Sequence, residues 1–161
     1  MREFLVLLAA SYAGTAVCVW WFSGFIPRFL LPDIPFLSIV FAGLFLHGPL
    51  GFFAAIPPAI FREITVSSPP WTFFLSSLAL YFASREIGMR FYLRAEYLIL
   101  AVVVGLLLAE SISVAVLVLL GGSRPFSFLW AAQEAVRIAW TGLVAVPLFM
   151  DLSSRRRRVK E

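Results

Sequence analysis

Glu110, Glu134 and Arg137 stand in stretches that are otherwise apolar, in a chain of 161 residues of which 61% are hydrophobic and 14% charged. Two carboxylates and a guanidinium in such a setting can exchange protons with a substrate, hold a ligand, or pair with one another. Acid–base catalysis needs a titratable pair in reach of substrate, and nucleophilic catalysis needs an activated Ser, Cys or Lys. The single histidine, His47, has no acidic neighbour in sequence, and the single cysteine, Cys18, lies within an apolar run and has no partner for a disulfide. A lone His without Cys, Asp or a second His nearby does not make a metal site, and no Gly-rich phosphate loop is present. The expectation is a protein that is not an enzyme and that carries no metal or cofactor.

Pairing is the remaining chemistry. Glu134 and Arg137 are three residues apart, and so neighbours on one helical face. Glu110 and Arg137 each lie about ten residues, roughly 15 Å at helical rise, from the turn "GGSRP". In an antiparallel hairpin they reach one depth, which predicts an ion pair between them. The sharper alternative is a polar patch offered to the helix of another membrane protein, because ionisable groups within spans are costly and mark functional contacts.

The elements that must position these residues are membrane helices. A soluble domain runs nearer 45–50% apolar and about 25% charged. Repeated apolar runs of about 17–25 residues fit helices crossing a ~30 Å core. The expected fold is an all-α integral membrane protein, one domain over 1–152 with a basic tail at 153–161. Spans are expected at about 4–26, 31–47, 49–66, 71–84, 96–120 and 126–150, a compact bundle of about six. The first run is longer than a signal-peptide core and is read as a retained span. The stretch from Ile34 to Phe61 contains no Asp, Glu, Lys or Arg. As one helix it would reach about 42 Å, too long for one crossing. Gly48-Pro49 therefore reads as a tight turn between two short helices, since Gly before Pro favours a turn.

Orientation follows from Lys and Arg near the span ends. One side holds Arg2, Arg85, Arg90, Arg94, Arg155 to Arg158 and Lys160, nine in all, against Arg28, Arg62 and Arg124 on the other. Both termini are expected to face the cytoplasm. Fusing the second and third spans preserves the bias but moves the amino terminus outside, so charge alone leaves five and six spans open.

Simple roles suit most other residues. Asp33 is placed to cap the second span, and His47 to meet the negative end of the same helix. Pro57-Pro58 is expected to kink the third span. Arg155, Arg156, Arg157 and Arg158 form a cytoplasmic anchor attractive to anionic membrane lipids. Small residues at Ser11, Ala13, Gly14 and Ala42-Gly43 are placed to let a neighbouring helix approach, whether the chain's own or a partner's. No basic surface interleaved with aromatics is present, so nucleic-acid binding is not expected.

The stretch "LPDIPFLSIVFAGLFLHGPLGFFAAIPPAIF" resembles the rod shape-determining MreD family of small bacterial inner-membrane proteins. The likeness lies in a Pro-Asp entering the second helix (Pro32, Asp33) and a short turn of the type GPLxG (Gly48, Pro49, Gly51). It continues in "REITVSSPPWTFFLSSLALYF", with Pro69 in a Ser-Pro loop, and in the ending "VPLFMDLSSRRRR". The chain departs from the family pattern at Arg62-Glu63, where a lone Asp is usual, and at Trp71, where Gly often follows the loop. The resemblance implies a non-catalytic scaffold of the cell-wall elongation machinery. It also implies association with MreC and, through it, with MreB, RodA and a class B penicillin-binding transpeptidase. The alternative is a substrate-binding subunit of an energy-coupling-factor vitamin transporter, of similar size and span number. Such a carrier should present an outward polar pocket, and "SSPPW" is its only candidate lid.

Overall fold

The computed structural model describes residues 13, 32–46, 48–65, 71–91, 96–120 and 128–158. These form five helices and no strand: α1 (Ile34–Phe45), α2 (Pro49–Thr65), α3 (Thr72–Arg90), α4 (Glu96–Leu120) and α5 (Phe128–Arg158). The chain is thus all-helical where it is described. The expected span at 4–26, apart from a helical Ala13, lies outside the described residues, as do His47 and Pro69.

The run from Ile34 onward breaks where its length and turn residues require. Asp33 caps α1, its Oδ1 accepting from the Phe36 amide at 3.0 Å, and Pro35 sits in the first turn, where its missing amide costs nothing. α1 ends at Phe45, and Leu46 is extended. Gly48 then takes φ +76°, a left-handed conformation natural to glycine. Pro49 opens α2, the position its fixed φ favours.

α1 is the centre of the bundle. Every residue from Pro35 to Leu44 is buried, so the helix is enclosed on all sides. It packs most extensively on α3 and α2 and also touches α5, while α4 and α5 pair with each other. Close approach of α1 to α3 depends on small side chains. A Cβ at Gly43 would lie 2.6 Å from Ser84 Cβ and 2.8 Å from the Tyr81 carbonyl oxygen. Gly43, placed by sequence to admit a neighbouring helix, thus admits the protein's own α3, and the adjacent Ala42 is buried too. At the adjoining turn a Cβ at Gly51 would fall 2.5 Å from the Leu46 carbonyl and 3.0 Å from the Tyr81 hydroxyl. Aromatic edges fill the remaining space, with Phe149 of α5 against Phe41 and Phe45, and Phe52 against Tyr81.

Outward faces are apolar. Phe53, Ile60 and Ile64 of α2, Leu75 and Phe82 of α3, Leu108 and Ile112 of α4, and Trp140 and Leu143 of α5 are all exposed. Among the described residues one stretch, Tyr97–Val116 within α4, is long and apolar enough to cross a membrane. Two helices run past the expected span ends, and α2 continues through its proline pair. α3 runs six residues past 84 to Arg90, carrying the exposed Glu86–Arg90 pair, in which charges four apart support one another. α2 stays helical through Pro57 and Pro58. α5 does not stop at Met150 but includes the basic run Arg155 to Arg158.

Candidate functional site

Within this bundle five charged side chains from four elements meet. Asp33 enters from the start of α1, Arg62 from the last turn of α2, Glu110 from α4, and Glu134 with Arg137 from α5. Arg62 is at the centre. Its Nη1 approaches Glu110 Oε1 at 2.6 Å, and its Nη2 approaches Asp33 Oδ2 at 3.2 Å. Nη1 also donates to the Ser77 hydroxyl at 3.3 Å, and the guanidinium carbon lies 5.7 and 5.8 Å from the ring centroids of Phe36 and Phe73. Asp33 Oδ2 is shared with a second cation, accepting from Arg137 Nη1 at 3.4 Å. Arg137 Nη2 in turn meets Glu134 at 2.8 Å and the Ser111 hydroxyl at 3.3 Å, and Ser111 donates to Glu134 at 3.0 Å. The Asp33 amide donates to Thr141 of α5 at 3.2 Å, so this residue both caps α1 and ties it to α5.

The network therefore joins the three residues read from the sequence as an intramembrane polar group, but not in the expected pairing. Glu134 and Arg137 do pair on one face. The hairpin also brings α4 and α5 to a common depth, as the Ser111 contacts show. Glu110 itself pairs with Arg62 rather than with Arg137. The reason is rotational: adjacent helical residues point about 100° apart, so when Ser111 faces α5, Glu110 faces α2.

Charge counting places Arg62 at an outer span end, yet it is 4% exposed. A signal for its burial is present. Ala55, Ala59 and Arg62 follow one another at helical spacing, and both alanines are buried. Spacings of four and three put all three on one inward face of α2. Removing Arg62 from the loop count leaves Arg28 and Arg124 against nine on the opposite side. Its neighbour Glu63 plays a different part. The Glu63 carboxylate accepts the amides of Trp71 at 2.5 Å and Phe74 at 2.9 Å, holding the open start of α3. Trp71 takes φ +71°, a conformation in which glycine would be at ease.

Of the remaining motif positions, Pro32 offers its carbonyl to the Ile34 amide at 2.9 Å, and Gly48, Pro49 and Gly51 build the turn between α1 and α2. No group of three or more His, Cys, Asp or Glu suited to a metal ion occurs among the described residues. The fold and site define a class: a helical bundle with apolar outward faces and an ion network in its interior. Searches against protein-family models, curated proteins and solved structures find no match.

Proposed function

We propose that the chain is a multi-pass protein of the bacterial inner membrane, a bundle of about six helices with both termini cytoplasmic. Its work is to hold other membrane proteins together as a non-catalytic scaffold of the MreD type in the cell-wall elongation machinery. The observation that carries this reading is the division of the bundle into apolar outward faces and an ionic interior. Water favours the reverse arrangement, whereas lipid demands that charges turn inward and meet partners. The interior charges are engaged with one another across α1, α2, α4 and α5, which suits a rigid platform better than a solute carrier. The MreD resemblance nominates MreC as the direct partner, with MreB, RodA and a class B transpeptidase beyond it.

Depletion in a rod-shaped host, scored with recovery of MreC and RodA in pull-downs of the full-length protein, tests the proposal. Loss of rod shape together with loss of those complexes is expected. Normal rods, intact complexes and impaired vitamin uptake overturn it in favour of a transporter subunit.

A further inference from the structure

We infer that the ion network is a docking site for one basic side chain, a lysine or arginine carried in the transmembrane helix of a partner protein. This rests on the scaffold reading and names the chemistry by which the partner is chosen.

Charge is out of balance in the network. Among the described residues, three carboxylates (Asp33, Glu110 and Glu134) face two guanidiniums (Arg62 and Arg137), one formal negative charge in excess. An uncompensated charge inside an apolar bundle is costly, and a cation from outside removes that cost. One acceptor is also unfilled. Glu110 has a side chain only 2% exposed, and its Oε2 accepts no hydrogen bond among the described residues. Oε1 meets Arg62 Nη1 at 2.6 Å. A carboxylate offers about four lone-pair sites, so this one has capacity to spare.

Access to the network lies at the end away from Glu110. Side-chain exposure rises from Glu110 and Arg62, at 2% and 5%, through Asp33 at 14%, to Arg137 and Glu134 at 22% and 23%. The network is thus sealed at α2 and open at α5, where the nearby Val136 and Trp140 present exposed apolar surface to a second helix. A metal ion is a poorer match, because the carboxylates alternate with guanidiniums instead of converging. A lysine or arginine reaches the open carboxylate by its long stem while its helix stays in lipid.

The test uses the purified full-length protein in zwitterionic phosphatidylcholine vesicles. The probe is a synthetic single-span Leu/Ala helix with one lysine in its outer third, labelled for energy transfer, beside the same helix with leucine there. The lysine helix is expected to bind about tenfold more tightly or better. Glu134→Gln and Glu110→Gln should each bring the ratio near one, and Glu86→Gln, in the exposed pair with Arg90, should leave it unchanged. Glu134 is partly exposed, so its variant keeps the test decisive where Glu110→Gln unfolds. Equal binding of the two helices, or a lysine preference that survives Glu134→Gln, overturns the inference. Co-recovered membrane proteins without any lysine preference overturn this inference and leave the scaffold reading standing. Lysine preference without co-recovered proteins overturns the scaffold reading alone.

Discussion

Glu110 of α4 and Arg62 of α2 meet at 2.6 Å, while Ser111, one residue on, turns to Glu134 and Arg137 of α5. A single step along α4 therefore splits its polar contacts between two neighbours. The helix is pinned from both sides, and its rotation about its own axis is fixed.

Removing Arg62 should be the most damaging single change in the network. Arg62→Leu strips Glu110 of its cation and leaves Asp33 with Arg137 alone, and breaking a buried pair by removing one partner costs about 3–5 kcal/mol. Glu110→Leu combined with Arg62→Leu should be less destabilising than Arg62→Leu alone. Reversible unfolding in mixed micelles gives the cycle, and simple additivity of the two changes would refute the pairing.

Asp33 combines two roles that substitution can separate. Asn keeps a capping oxygen for the Phe36 amide but drops the charge shared by Arg62 and Arg137, whereas Ala loses both. Asp33→Ala should be the less stable by about 1 kcal/mol, the usual worth of an N-cap. Equal thermal midpoints for the two variants would show that capping contributes nothing here.

Gly43→Ala should destabilise by about 1–3 kcal/mol, as overpacking of a filled core does. Its new methyl would press on Ser84 Cβ and on the Tyr81 backbone carbonyl. Gly105→Ala, with nothing within 4 Å of the added atom, is the control and should be neutral or mildly stabilising. Comparison of the two melting curves decides it.

A cysteine introduced at Gly48 in a Cys18→Ser background should react with membrane-impermeant reagent only from the cytoplasmic side. The left-handed turn at this position joins α1 and α2, the second and third spans of the proposed topology. Labelling from the outer side alone would invert the topology.

Legibility in the sequence differs from residue to residue. Asp33 and Gly48-Pro49 are legible because helix capping and turn geometry are local, decided within three or four residues. The equal depth of α4 and α5 is legible because it needs only helical rise and a short connection. The Glu110–Arg62 pair is not, since it depends on the rotation of α4 and on which helix lies beside it. Counting charges assigns Arg62 to a span end. Only the packing of Ala55 and Ala59 against the rest of the bundle shows that the same residue turns inward.

The continuity of α5 has a mechanical consequence. From Arg137, held by Asp33 and Glu134, the helix runs unbroken to Arg158, roughly 30 Å at 1.5 Å per residue. It is a lever with its fulcrum in the ion network, so a small tilt there is multiplied at the far end: about ten degrees of swing displaces the tip by about 5 Å over that length. Pro147, which lacks an amide for the helical ladder, is where such a rod bends most readily. Stiffness on either side of that point sets how much of the swing reaches the tip.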